Sequence, residues 1–416
     1  MNAEALPPDL VPPARRPLRI VILGLSITSS WGNGHATTYR SLMRALCRRG
    51  HDVLFLECDK PWYRAHRDLR HLPCGTIALY DDVAALRRRW SGELEMADLV
   101  VIGSYVPDGI AVIELARRLV AGGILAFYDI DTPVTLAALA AGNCDYLTPE
   151  LVPAFDLYLS FTGGPVLRLI ERQYGARAAR PLYCAVDLDQ HRAPRAEDAG
   201  EPDWALGYLG TYSADRQPAL EALLCEPARR WPQARFAVGG PLYPADLAWP
   251  GNVERIEHVG PDRHAWFYGH QRFTLNVTRA DMVRWGYSPS VRLFEAAACG
   301  VPIVSDWWPG LDTIFTPGRE ILVARNAADV LGFIRDMPDS ERLLLAERAY
   351  RRLLAGHTAA HRAALLESYV EEVLRPSDAR NRAVPADRRN PPAVAAFSSD
   401  GSAEPEPQRL EVAPQR

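Results

Sequence analysis

The sequence predicts an α/β protein of two doubly wound domains facing a central cleft. Three observations carry that prediction. Short continuous apolar runs alternate with helix-length amphipathic patterns, as strands do when crossover helices cover both faces of a parallel sheet. The alternation stops at a polar stretch, Asp187–Pro202, and restarts beyond it. A length of 416 residues suits two or three domains.

The first series opens with Arg19–Gly24 (RIVILG), a buried-strand pattern, followed by a helix over Ala36–Arg49 with Leu42, Ala45 and Leu46 on one face. Strands follow at Val53–Glu57, Asp98–Gly103, Ile124–Tyr128 and Asp156–Ser160, with a helix at Asp108–Ala121 and a closing strand at Pro181–Val186. The second series has strands at Ala205–Gly210, Arg235–Gly239, Val253–Glu257, Phe273–Thr278, Val301–Ser305 and Ile321–Val323. Its helices fall near Pro218–Glu226 and Pro289–Cys299, then at Ala327–Asp336, Ser340–Ala355 and His361–Leu374. These patterns predict Rossmann-like domains over residues 18–186 and 203–374, with a disordered tail over 375–416 that is rich in Pro, Ala, Arg, Ser and Glu. Ligands of such sheets sit beyond the carboxyl ends of the strands, so the cleft is the expected site.

Composition narrows the function. A net charge of −4 gives no electrostatic reason for a nucleic-acid partner or an anionic membrane. No apolar stretch is long enough for a transmembrane segment, and the expected compartment is a reducing cytoplasm. Seven scattered cysteines without a CxxC pair make neither a disulfide scaffold nor a structural zinc an expectation. Lys60 is the single lysine, so any cation that clamps a phosphate elsewhere in the chain is an arginine.

Four segments carry chemistry. Gly24–His35 (GLSITSSWGNGH) joins the first strand to the first helix. Gly32 and Gly34 permit close backbone approach, and the helix N-terminus beyond them offers free amides to a phosphate or sugar. The spacing is not the dinucleotide fingerprint GxGxxG, and Glu57 is a weak match to its expected acid. The second is Asp129-Ile130-Asp131 at a strand end. Two carboxylates one residue apart point the same way along a strand, into the cleft, as bases or as metal ligands; an alternative is capping of a helix that starts at Pro133. The third is Leu206–Arg216, where a strand ends at Gly210, Thr211 follows, and Arg216 sits at the next helix start. The fourth, Trp285–Pro302 (WGYSPSVRLFEAAACGVP), places Ser288 as a helix cap and the amides of Ser290 and Val291 toward an anion. Glu295 lies among apolar residues of that helix and needs a partner, either a ribose diol or a salt bridge to Arg292 or Arg279.

The run RLFEAAACGVPIVSD resembles the signature of retaining glycosyltransferases of the GT-B architecture, group 1. SPSVRLFEAAACG together with YDIDTP is similar, more closely, to CgeB-like glycosyltransferases. Weaker segments occur in the matching order: Arg49–Val53, Ala185–Asp187, Leu209-Gly210 and Val238–Pro241. The resemblance covers about residues 18–374 and implies transfer of a sugar from a nucleoside-diphosphate sugar, without a cofactor or metal, to an undefined acceptor. It implies that Glu295 holds the ribose, that Arg216 stands for the phosphate-binding lysine, and that Gly32, Gly34 and His35 face the diphosphate. Gly210, Thr211, Arg279, Tyr287, Ser290, Val291 and Arg292 fall on the donor side, and Asp129 or Asp131 acts on the acceptor. The sequence departs from the pattern at Thr211, where the family has an arginine, at Tyr287, where it has its first glutamate, and near Tyr128-Asp129, where it has a histidine. Arg279, Arg284 or Arg292 is left to supply the missing cation. A non-catalytic nucleotide-sugar-binding scaffold, and an epimerase or phosphorylase on the same fold, are the competing expectations.

Overall fold

The computed structural model describes residues 16–69, 71–184, 186–193 and 201–374. The tail expected at 375–416 and most of the linker's second half lie outside them. Domain one carries strands β1 (Arg19–Gly24), β2 (Asp52–Cys58), β3 (Thr76–Tyr80), β4 (Leu99–Gly103), β5 (Ile124–Asp129), β6 (Leu157–Ser160) and β7 (Ala179–Pro181). Its helices are α1 (His35–Arg48), α2 (Pro61–Ala65), α3 (Val83–Met96), α4 (Gly109–Leu119), α5 (Thr132–Ala141) and α6 (Pro165–Gln173). Domain two carries β8 (Trp204–Leu209), β9 (Phe236–Gly239), β10 (Val253–Ile256), β11 (Gln271–Asn276), β12 (Ile303–Ser305) and β13 (Leu322–Val323). Its helices are α7 (Gln217–Leu220), α8 (Glu226–Arg230), α9 (His264–Gly269), α10 (Ala280–Trp285), α11 (Val291–Ala298), α12 (Leu311–Ile314), α13 (Ala327–Asp336) and α14 (Asp339–Gly356), and the described chain ends with α15 (Ala359–Leu374).

Both sheets are parallel, in the orders β3-β2-β1-β4-β5-β6-β7 and β10-β9-β8-β11-β12-β13. Strand β4 is buried at every residue, and β1 at every residue but the first, because helices cover both faces. The last strand of domain one is Ala179–Pro181, not Pro181–Val186, and the chain beyond it leaves the sheet. The helix expected near Pro218–Glu226 is interrupted by a π turn over Glu221–Cys225. Pro227, two residues beyond Cys225, has no amide to donate backward, and the helix widens ahead of it.

The chain crosses between the domains twice. After domain two is built, α15 returns to domain one, where Leu366, Tyr369 and Val370 join Leu42, Met43 and Leu46 of α1 in one apolar cluster. Arg49 grips Glu367 of α15 through Nε (2.5 Å) and Nη2 (2.7 Å). His51 Nδ1 accepts from the amide of Leu18 (3.1 Å), so its Nε2 carries the proton and donates to Glu367 (2.7 Å). The first crossing is the linker, where Asp187, 3% exposed, accepts from Arg44 Nε of α1 (2.7 Å).

Because α15 completes the core of domain one, Leu366→Ala should destabilise the protein by about 2–5 kcal/mol, as a buried leucine truncation does. Urea unfolding measures this; a loss under about 0.5 kcal/mol, the scale of a surface change, would show that α15 is not part of that core.

Candidate functional site

The order of each sheet reverses once, at β1/β4 in domain one and at β8/β11 in domain two. The loops at these carboxyl ends meet across the cleft. The amide of Gly163 donates to Tyr287 O (2.9 Å), the hydroxyls of Thr162 and Ser288 pair at 2.6 Å, and the Trp31 ring lies 4.8 Å from His258. Arg279 of domain two reaches Asp131 of domain one at 3.8 Å.

On the domain-one wall, the loop between β1 and α1 is held by Glu57 at the end of β2. That carboxylate is fully buried and accepts four hydrogen bonds, from the Ser26 hydroxyl (3.0 Å), the amides of Ile27 (2.7 Å) and Thr28 (2.9 Å), and the Thr28 hydroxyl (2.7 Å). It is a loop organiser with no capacity left for a ribose. Asn33 ties the loop to Ser26 O and Ser29 O and accepts from the amide of His35 (3.1 Å). Gly32 lies at φ +60°, where a side chain would be strained. Gly34 has ordinary helical dihedrals and open space around it. His35 stands at the helix start with Nδ1 unpartnered among the described residues. Burial pushes its pKa down, against the pull of Asp131.

The two aspartates separate. Asp129 is fully buried and does not face the cleft: it accepts from Tyr158 (2.6 Å), Thr135 (2.7 Å) and the amide of Asp131 (3.3 Å). Burial raises its pKa to about 6, the hydrogen bonds opposing. The strand ends at Asp129, so the alternation that would align the pair is broken before Asp131. Asp131 occupies the cap position of α5 without a side-chain capping bond, and α5 begins at Thr132 rather than Pro133. Its carboxylate turns to the cleft, 3.3 Å from the Tyr105 hydroxyl and 3.8 Å from Arg279. The Tyr105 ring is also 5.6 Å from His35.

On the domain-two wall, Gly210 and Thr211 follow β8. Arg216 Nη2 donates to Thr211 O (2.7 Å), while its Nε is buried and unpartnered among the described residues. Arg279 is alike: its Nε, also unpartnered, lies 3.7 Å from Asp215, beyond a hydrogen bond. Burial would raise the pKa of Asp215, but the Ser213 hydroxyl, the Ala280 amide, Arg279 and Arg216 hold it below its usual range. Arg292 is not free for a ligand through Nε and Nη1, which donate to Leu209 O (2.5 Å) and Asn276 (2.8 Å), and its guanidinium stacks over Tyr208. Arg284 is exposed and pairs with Asp281.

The cap of α11 is Ser290, not Ser288. Its hydroxyl accepts from the amide of Arg292 (3.4 Å), and Val291 begins the helix. Ser288 is spent on Thr162 and Gly286 O. Tyr287 is a stitch between the domains: it sits at φ 51°, its amide donates to Pro309 O (2.6 Å), and its ring packs where any side chain at Gly164 or Gly310 would collide.

Glu295, 2% exposed, makes no salt bridge to Arg292 or Arg279 among the described residues. Tyr268 donates to its Oε2 (3.0 Å), and its Oε1 lies 3.5 Å from His191 Nε2 and 3.5 Å from His264 Nδ1. Burial opposes its ionisation, yet His264, His191 and Tyr268 hold its carboxyl well below the usual range. Oε1 is buried and has no hydrogen-bond partner among the described residues. Sequence patterns do not single out Tyr105, Asp215, His191 or His264. Only Asp215 has a visible signal, its place beside Arg216.

Asp129 makes a pH prediction. With its folded pKa near 6, against the ordinary 3.8, the stabilisation from its protonation is full below about pH 4 and lost as pH rises through 6. Relative to Asp129→Asn, the wild type should lose up to about 3 kcal/mol of unfolding free energy between about pH 4 and pH 7. Parallel pH profiles of the two proteins would contradict it.

Residues 216–368 match the family described as Glycosyl transferase-like. A sucrose-phosphate synthase from Thermosynechococcus elongatus shares the fold with a TM-score of 0.60 at 16% identity, covering 86% of this chain and 99% of that one. HepE of Anabaena, solved with UDP and glucose, gives 0.61 at 12% identity over 85% and 99%. An alpha-glucosyltransferase solved with UDP and a 13-mer DNA containing an HMU base gives 0.66 at 14% identity over 85% and 99%. No curated protein is similar to the chain in sequence. The described chain thus has the two-domain GT-B fold, and its second half carries a glycosyltransferase-like sequence.

Proposed function

We propose that the protein is a glycosyltransferase that moves a sugar from a nucleoside-diphosphate sugar to an acceptor bound against domain one. One observation carries the reading. The Arg216 and Arg279 guanidiniums each keep a buried, unpartnered Nε at the domain-two switch point, opposite His35 and Asp131, which follow β1 and β5 of domain one. Buried donors without partners are costly, and a diphosphate would satisfy them. The α11 start adds the positive end of a helix dipole. The family match and the UDP and UDP-glucose bound by HepE support a nucleotide-sugar donor. The run SPSVRLFEAAACG supports a CgeB-like member of the group, and the resemblance to the retaining families supports retention.

Cleavage of the sugar–phosphate bond leaves negative charge on the departing nucleoside diphosphate. Arg216 and Arg279 oppose that charge without a metal bridging the phosphates. A phosphate that draws Arg279 away also releases Asp131 from its ion pair, and Asp131 is then free to orient the acceptor hydroxyl or take its proton. Closure of the domains around the substrates excludes water.

A panel of nucleotide sugars tests the reading. Slow release of nucleoside diphosphate without acceptor is expected; a changed sugar would point to an epimerase, and binding without turnover to a scaffold. Arg216→Ala should weaken UDP by about 1.5–3 kcal/mol, the range of charge-assisted hydrogen bonds, and uridine far less. Equal losses by calorimetry would remove Arg216 from the diphosphate site. Asp131→Asn should lower turnover while UDP affinity stays nearly unchanged, and added magnesium or manganese should leave that affinity as it is. A metal-dependent rise in UDP affinity would refute direct clamping by arginine.

A further inference from the structure

Arg216 and Arg279 stand on one wall, and two guanidiniums there without a ligand repel each other. Asp215 is the anion that both of them feel. Its Oδ2 accepts from the amide of Ala280 (3.0 Å), the residue after Arg279, and its Oδ1 accepts from the Ser213 hydroxyl. The first bond ties the segment that carries Arg216 to the start of α10, and so to the backbone that carries Arg279. Burial opposes the ionisation of Asp215, yet these two bonds, Arg279 and Arg216 hold it in its charged form.

The Arg279 side chain is contested. Its Nε lies 3.7 Å from Asp215 Oδ2 in its own domain, and its Nη1 lies 3.8 Å from Asp131 Oδ2 across the cleft. Both distances are beyond a hydrogen bond, and Nε has no partner among the described residues. An arginine shared by two carboxylates on opposite walls shifts toward whichever keeps its charge when the other is neutralised. The two shifts have opposite consequences. Toward Asp131, the guanidinium leaves the wall it shares with Arg216 and occupies the carboxylate that faces the cleft. Toward Asp215, it stays with Arg216 and leaves Asp131 free.

We propose that Asp215 is a positioning residue that holds Arg279 on the domain-two wall against the pull of Asp131, so that donor binding unmasks the carboxylate on the acceptor side. The inference rests on the reading of Arg216 and Arg279 as diphosphate ligands. Asp215 acts through Arg279 and touches no reacting atom. A diphosphate adds its own negative charge on the side of Asp215 and tips the contest for Arg279. Asp131 then loses its cation and takes the proton of the acceptor hydroxyl more readily. Without donor, Arg279 stays within 3.8 Å of Asp131 and disfavours that protonation. The order that follows is donor first and acceptor second.

A double-mutant cycle on UDP affinity, read by calorimetry on the full chain, tests the competition. Asp215→Asn keeps an oxygen for the Ala280 amide and loses the charge. It should weaken UDP about 10-fold, because Arg279 falls back on Asp131, and leave uridine unchanged. Adding Asp131→Asn should recover most of that loss, while turnover stays low because Asp131 is gone. A structural defect at Asp215 would not be repaired by a change in the other domain. Asp215→Glu, which keeps the charge, should lose less than Asp215→Asn. Asp215→Ser removes the charge in a smaller volume and takes the place of the Asn variant if that one does not fold. If the wild type binds UDP and the folded Asn or Ser variant binds it equally well, Asp215 does not position Arg279, and the donor reading survives. A loss that Asp131→Asn does not recover overturns the competition. A wild type that binds no nucleoside diphosphate sinks the donor reading itself, and this inference with it.

Discussion

The grip of Arg49 and His51 on Glu367 is the constraint on which the cleft depends. Two parallel sheets joined by one linker would be free to hinge in any direction. The helix α15 removes most of that freedom by leaving domain two and completing the core of domain one. The run Arg49–Val53 therefore has a physical role. Its arginine and histidine both hold α15, and the amide of Leu18 fixes the tautomer that lets His51 donate. Side chains this far apart in the chain are brought together by a pair that is largely withdrawn from water, where removal of either partner would strand the other.

With the hinge restrained, the loops of the two switch points face each other and the energetics of the cleft follow. Domain one contributes an acid, Asp131, and an imidazole, His35; domain two contributes Arg216 and Arg279. The ion pairs of Arg279 with Asp131 and Asp215 are long, at 3.8 and 3.7 Å, and neither satisfies its Nε. Tyr105 and Tyr287, one on each wall, hold positive φ, a strain that persists only where surrounding contacts enforce it. Arg292, by contrast, is saturated by the backbone and by Asn276, so it shapes the α11–β8 junction and leaves the charge chemistry to its neighbours.

Most of the fold is legible in the sequence because a strand buried on both faces is a continuous apolar run. The elements without such a signal lie at the rim. Strand β3 is an edge strand whose residues are mostly half-buried, and α3 buries only Ala85, Leu86 and Leu94 of its length. In the site, Arg216 and the α11 start are readable as letters next to a strand end. The direction of a side chain is harder to read. Asp129 and Asp131 have the spacing of residues on one face, but the strand stops between them, and one is drawn into the core by Tyr158 and Thr135. Ser288 and Ser290 both precede the signature helix, and only packing against Thr162 decides which of them is left to cap it.

Glu295 shows the limit of reading a carboxylate from its helix alone. An acid within an apolar face requires a partner, and that much follows from the sequence. The identity of the partner does not, because it depends on which segments the fold brings overhead. Here they are the linker, through His191, and α9, through His264, and neither shares a sequence pattern with RLFEAAACG.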